Sequence, residues 1–272
     1  MKLAVVIGCS DNYTSYAINA IRKFQSVNPD YDGILLGCNF SEDSKKILNA
    51  NNIRCIEVDL HEFFPSLEKR PYGKQYPIEC FYHLYAYKML PEYDYIVTIE
   101  PDVIAQLPFV FAPFPYIAGI IDGNRINDFF PIMTDLSRIR TVYPTVSTEG
   151  DRIRGGVHIY NVRGCESIQF FECITSIYKK SLEINAQRCG DDSLFVLYQM
   201  IHPEIITKLD RRYMVIGEAE PVTDIICFHD VSSSKWWNEQ PSPTPTAHFF
   251  KEQMKAFVAQ YGSKPRLSLK QQ

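Results

Sequence analysis

Two short stretches of this chain hold residue types that could do chemistry together. "IEPDV" places Glu100 and Asp102 just past the apolar run "YDYIVTI". Two carboxylates one residue apart at a strand end can converge on one hard cation, because the turn breaks the strict alternation of a strand. Mg2+ and Mn2+ take oxygen ligands of this kind and commonly share them with a substrate's phosphates. An ordinary acidic loop with solvated side chains is the plainer alternative. Much later, "FHDVSSSKWW" crowds His229, Ser232, Lys235 and both tryptophans together. A neutral imidazole suits Mn2+ beside carboxylates, and an ammonium is a common phosphate partner. A structural histidine at a strand end is the alternative there.

These groups need elements that aim them at one another. "KLAVVIGC", "DGILLGCNF" and "IRCIEVDL" read as strands, and "SYAINAIRKFQSV" and "SEDSKKILNA" between them read as helices. Ser41, Glu42 and Asp43 suit the cap and first turn of the second helix. Strands alternating with helices imply a parallel sheet with right-handed crossovers, whose ligands bind at the carboxyl ends of the strands. Residues 77–90 read as a helix, "YDYIVTI" as a fourth strand and "YIAGIID" as a fifth. "GGVHIYNV" is a strand introduced by two glycines, "CESIQFFECITSIYKK" and "DDSLFVLYQMIH" are helices, and "DIICFHD" is a late strand. Residues 123–153 lack periodicity and are expected to form a long functional loop or lid. A proline-punctuated linker leads into a last helix, "HFFKEQMKAFVAQY".

Bulk composition narrows the classes. A chain of 272 residues, 46% hydrophobic and 22% charged, is an ordinary globular α/β protein with a sizeable core. A net charge of −4 leaves no general cation excess for a nucleic-acid partner. The eight cysteines include no C-x-x-C pair, which argues against a zinc ribbon, and reduced thiols in a cytosolic setting are expected. "MKLAVVIGCSDN" reads as a first strand rather than a signal peptide, and no run approaches the roughly 20 apolar residues of a membrane span. The first loop is neither G-x-G-x-x-G nor a P-loop.

In order along the chain, these pieces resemble the GT-A nucleotide-sugar glycosyltransferases, and among them the glycogenin-type family 8 enzymes. The fourth strand with its acidic pair resembles that group's strand followed by D-x-D, with Glu100 in place of the first aspartate. The resemblance implies that Glu100 and Asp102 hold a divalent metal on the donor diphosphate. "GCSDNYTSYAINAIRKF" resembles the family's T-N-D-x-Y loop, with Asp11, Asn12 and Tyr13 matching and Cys9 and Ser10 before them. It implies a loop around the uridine with Tyr13 stacked on the base, a contact for which aromatic faces are suited. Asp11 as a helix cap and Tyr13 as packing remain open beside it.

"HDVSSSKWW" resembles H-x-x-G-x-x-K-P-W, with Ser232 at the glycine and Trp236 at the proline. That implies His229 as third metal ligand, Lys235 on the diphosphate and Trp237 as the loop's anchor. "RGGVHIYN" resembles N-S-G-V-x-x-x-N through Gly156, Val157 and Asn161, where a glycine lets the backbone approach the donor sugar; a β-bulge is the alternative. "GDDSLF" resembles D-Q-x-x-L/F and implies Asp191 near the sugar hydroxyls and Asp192 near the reacting face. Both would also suit a helix amino terminus. The family's basic residue in the helix before D-x-D has no clear equivalent: His83 is nearest, Lys88 poorer, and Arg125 or Arg154 could supply the charge.

The expectation is therefore an α/β chain of the GT-A (Rossmann-like) type, with a mixed, mainly parallel sheet flanked by helices. A single domain spans 1–262: a nucleotide-binding half at 1–122, an acceptor and donor-sugar half at 123–240 and a helix at 241–262, before a flexible tail at 263–272. The resemblance implies sugar transfer with retention from a UDP-sugar, with Mn2+ or Mg2+, to a glycan, glycoprotein or small-molecule acceptor; the lack of a membrane-length apolar run points to a soluble protein in a bacterial, viral or host cytoplasm. A homodimer is the candidate assembly. A sugar-nucleotide-forming nucleotidyltransferase and a non-catalytic sugar-nucleotide-binding protein stay open, although "GCSDNYTS" lacks the basic, glycine-rich loop of the former.

Overall fold

The computed structural model describes residues 1–64, 78–127, 136–184, 190–216, 225–229, 235–237 and 244–261. Strands β1 (Leu3–Gly8), β2 (Tyr31–Gly37) and β3 (Arg54–Glu57) alternate with helices α1 (Thr14–Val27) and α2 (Glu42–Ala50). Helix α2 starts where its sequence says it should: the Ser41 side chain accepts from the Ser44 amide, and Glu42 and Asp43 fill the first turn. A short 3-10 turn, Ile78–Phe81, leads into α3 (Tyr82–Met89) and then β4 (Tyr95–Ile99). Strands β5 (Val103–Ala105), β6 (Ile117–Arg125) and β7 (Asp151–Asn161) follow, with α4 (Leu136–Val142) between the last two. The remainder is α5 (Val162–Ser167), α6 (Phe170–Glu183), α7 (Asp191–Ile201), β8 (Ile206–Leu209), β9 (Val215–Ile216), β10 (Cys227–His229) and α8 (Pro245–Tyr261).

Seven strands form one sheet in the order β3-β2-β1-β4-β7-β6-β8, and β5-β10-β9 form a second, small sheet. Pairing is parallel from β3 to β4, antiparallel where β7 meets β4 and β6, and parallel again between β6 and β8. This is the mixed, mainly parallel sheet that the alternating pattern predicts. Each face is covered. Helix α1 lays Ala17, Ile18, Ile21 and Phe24 against Val5, Ile7 and Val97. Helices α3, α6 and α7 bury Leu84, Ile174 and Phe195 against Val6, Ile96 and Tyr160. A third cluster joins Phe228 of β10 to Trp236 and to Phe250 of α8, where the two phenyl rings stack at 4.6 Å.

The structure corrects three expectations. Residues 123–153 are not one long loop: β6 runs on to Arg125, α4 covers 136–142 and β7 begins at Asp151. Antiparallel pairing between β6 and β7 imposes extended backbone on a sequence with no strand period. The strand around the two glycines starts well before them for the same reason. The expected helix over "CESIQFFECITSIYKK" is two helices, broken at Gln169, whose φ is 49°. Asn161 caps the first piece through the Gly164 amide, and the left-handed turn re-aims the second so that Phe170, Phe171 and Ile174 reach the core. The seven described cysteines are free thiols. Among the described residues no helix is long and apolar enough to cross a membrane.

Strand β4, the one that delivers Glu100, is buried along its whole length. Ile96→Ala at its centre is expected to destabilise the protein by about 2–5 kcal/mol, the cost of a cavity in a packed core, read by urea unfolding.

Candidate functional site

Strand β4 stops at Ile99, and the Glu100 amide donates to the Gly156 carbonyl of β7 at 3.1 Å. The Val103 amide then donates back to the Glu100 carbonyl at 3.0 Å, closing a tight turn over Pro101 and Asp102. Beyond it β5 pairs with β10, and Val103 lies opposite His229. The acidic turn and the late histidine are thus neighbours by strand pairing. His229 Nε2 lies 3.1 Å from Glu100 Oε2 and 3.3 Å from Asp102 Oδ1. One ligand atom from each of the three residues falls within 4.8 Å of the others.

Asp102 is 6% exposed and His229 4%, while Glu100 is exposed. Burial alone would raise the Asp102 carboxyl, but His229 and Lys235 hold it below its ordinary value. Burial alone would lower the His229 imidazole, but Asp102 and Glu100 push it up. Asp102 Oδ1 and His229 Nδ1 are buried without a hydrogen-bond partner among the described residues. Unpartnered buried polar atoms are costly. Two carboxylates and an imidazole facing one point are a fitting donor set for Mn2+ or Mg2+.

Lys235 Nζ donates to Asp102 Oδ2, so the expected phosphate-binding cation meets the acidic turn itself. Its neighbours anchor it. Trp236, 2% exposed, donates its indole N–H to the Pro101 carbonyl at 3.2 Å. Trp237 stacks on Tyr16 of α1 at 4.5 Å. Two tryptophans therefore share the anchoring expected of one. Ser232 lies outside the described residues.

The loop after β1 is tied to the loop after β2. Asp11 Oδ1 accepts from the Ser41 amide at 3.0 Å and from the Ser41 hydroxyl at 3.2 Å, instead of capping α1. Ser10 opens the 3-10 turn Asp11–Tyr13 and accepts the Tyr13 amide at 2.9 Å. Tyr13 is 46% exposed, with its ring edge-on to Tyr16 and Trp237. The Cys9 side chain points away from this loop. It continues the strand alternation of Val5 and Ile7 into the core under α1, and burial raises its thiol far above the usual range. That alternation was readable from the sequence.

The two glycines of β7 stand between this cluster and a second one. Gly156 has φ +98°, a conformation open to glycine, and a Cβ there would overlap the His229 ring. A Cβ on Gly155 would overlap the Asp192 carboxylate. Asp191 and Asp192 do open α7, as expected. Burial first, then the Asp191 and Glu100 charges, raise the Asp192 carboxyl from 3.8 to about 7, against the pull of Arg152 and Arg154. The Arg154 charge thus reaches Asp192, whereas Arg125 is exposed opposite Asp151 and Lys88 pairs with Glu172 at 2.6 Å. His83 bonds Asp191 Oδ2 through Nε2 at 3.1 Å. The 3-10 turn before α3 was missed as a contributor: burial, then Asp191, Glu100 and Glu79, raise the Cys80 thiol, which places that turn beside the site carboxylates.

No protein-family model matches the sequence, and no curated protein does. Solved structures do. The galactosyltransferase LgtC, solved with donor and acceptor sugar analogues, aligns at TM-score 0.69 over 93% of this chain and 95% of its own, at 14% identity. The bifunctional glycosyltransferase WbbM aligns at 0.66 over 94% of this chain but 49% of its own, at 16% identity. The glycosyltransferase GlyE of Streptococcus pneumoniae aligns at 0.61 over 98% of this chain and 67% of its own, also at 16%. The chain has the GT-A glycosyltransferase fold, as the motif order implies.

Two outcomes follow from the geometry. Gly156→Ala drives a methyl into His229 at a backbone strain of about 1–2 kcal/mol; Mn2+ affinity measured by calorimetry is expected to collapse, while Gly155→Ala, which strikes Asp192, leaves it close to wild type. Asp192 has a folded value above its unfolded one, so its contribution to stability is complete below pH 3.8 and is lost as the pH rises through about 7. Asp192→Asn of the metal-free protein should therefore match wild type near pH 3, gain on it steadily toward pH 7 and hold a constant advantage above, in urea titrations across that range.

Proposed function

We propose that this chain is a metal-dependent glycosyltransferase that moves a sugar from a nucleotide donor, a UDP-sugar, to a glycan, glycoprotein or small-molecule acceptor, with retention. The observation that carries the reading is the Glu100–Asp102–His229 cluster, set with Lys235 at the carboxyl ends of β4 and β10 in a GT-A fold. In this reading Glu100, Asp102 and His229 hold Mn2+ or Mg2+, which when bound supplies charge stabilisation for a leaving diphosphate. Lys235 exchanges Asp102 for diphosphate oxygens and adds a second positive charge at the place where negative charge develops. Tyr13 offers its exposed ring to the uracil, Ser10 and Asp11 shape the loop around the nucleoside, and the Cys9 contribution is limited to its backbone. Gly156 contributes to the donor site by leaving room for the His229 ring against β7. Asp191 receives the sugar hydroxyls, and Asp192, partly buried beside Gly155, faces the reacting carbon. Ser232, three residues before Lys235 in the sequence, adds a hydroxyl donor for the diphosphate in this reading.

Calorimetry with UDP and Mn2+, followed by donor hydrolysis over a panel of UDP- and GDP-sugars, tests this. Metal-dependent binding and turnover of at least one UDP-sugar is the expected result. His229→Ala should weaken Mn2+ by at least about tenfold. Binding without turnover would return the chain to a sugar-nucleotide-binding protein, and no binding with metal present would sink both readings.

A further inference from the structure

Resting on that glycosyltransferase reading, we propose that His83 is a positioning residue for Asp191, fixing which carboxylate oxygen is offered to a donor-sugar hydroxyl. Three elements meet at this imidazole: His83 comes from α3, Tyr160 from β7 and Asp191 from the first turn of α7. The His83 and Asp191 side chains are 14% and 11% exposed, and Tyr160 is fully buried. Nδ1 of His83 lies 2.8 Å from the Tyr160 hydroxyl, and Nε2 lies 3.1 Å from Asp191 Oδ2.

The hydrogen bonds have one consistent direction. The Asp191 carboxylate oxygen facing Nε2 accepts, and in the tautomer with its hydrogen on Nε2 the bare Nδ1 accepts from the Tyr160 hydroxyl. Nε2 then carries the ring hydrogen and donates it to Oδ2. The ring cannot turn away cheaply. His158 lies parallel to it at 4.9 Å and 10°, and Phe195 of α7 backs His158 at 4.3 Å. Among the described residues, the Asp191 carboxylate has its hydrogen bond from His83. With Oδ2 engaged, Oδ1 is the oxygen left to accept from a ligand. A single carboxylate oxygen held in a fixed direction selects a hydroxyl donor, and positional errors of about 1 Å in such groups cost up to about 100-fold in rate.

The test uses the UDP-sugar that the wild-type protein hydrolyses fastest, with Mn2+. His83→Phe keeps a ring and removes both hydrogen bonds; kcat is expected to fall by up to about 100-fold, with UDP affinity unchanged by calorimetry. His83→Gln, whose amide can donate from nearly the same place as Nε2, should restore most of the loss. On an Asp191→Asn background, His83→Phe should add little, since a residue acting through another is not additive with it. Full activity in His83→Phe, or the same fractional loss with and without Asp191, overturns the proposal. A second readout does not depend on variants or turnover: long-range proton–nitrogen NMR of the wild-type protein should show the His83 hydrogen on Nε2, and finding it on Nδ1 would overturn the assignment. If the wild type turns over no sugar nucleotide, the glycosyltransferase reading has failed instead, and the tautomer result tells the two failures apart.

Discussion

One close backbone approach organises the site. At Gly156 the carbonyl of β7 takes the Glu100 amide while the same residue's bare Cα side lets the His229 ring lie against it. The acidic turn and the late histidine are both referenced to this point. One residue earlier, Gly155 accepts the Asp192 carboxylate in the same way. A strand that carried side chains here would hold the two acidic clusters apart. With two glycines it lets the ends of β4, β10 and α7 converge, and the antiparallel insertion of β7 beside β4 makes this possible in a sheet that is otherwise parallel at that edge.

The convergence concentrates charge. Glu100 and Asp102 face His229 and Lys235, and Asp191 faces His83 across the glycines. Buried charges hold only if paired and hydrogen-bonded, and an unpaired one is strongly destabilising. Pairing here is incomplete: Asp102 Oδ1 and His229 Nδ1 find no hydrogen-bond partner among the described residues, although Oδ1 lies 3.3 Å from His229 Nε2, and Asp192 keeps its proton toward neutral pH. Such strain is tolerated where the surrounding packing is over-determined. Phe228 against Phe250, Trp236 against Pro101 and the core under β4 supply that packing.

Much of this was legible in the residues themselves. The alternation of strands and helices through Glu57 follows from apolar period and caps, as at Ser41. Glu100 and Asp102 stood out because they follow an apolar strand, where a sheet presents ligands, and His229 because it stands in order with Lys235 and Trp237 as in the motif it resembles. What escaped was long-range. The His83–Asp191 contact spans 108 residues, and nothing in either segment points to the other. Strands as short as β5, β8 and β9 exist because a partner strand is there, not because two to four residues prefer extension. The polar stretch after β6 misled for the same reason. The Cys9 side chain was legible as well: the alternation that builds β1 assigns it to the core with Val5 and Ile7.

The chain's two tryptophans sit side by side at Trp236 and Trp237, one bonded to the acidic turn and the other stacked on α1. All of the protein's indole fluorescence therefore originates from one corner of the molecule, within two residues of Lys235. Any ligand that draws that lysine from Asp102, or wedges against Tyr13 and Tyr16, must disturb the emitters directly. The protein carries its own optical probe of that corner, with no label to attach and no background from elsewhere in the fold.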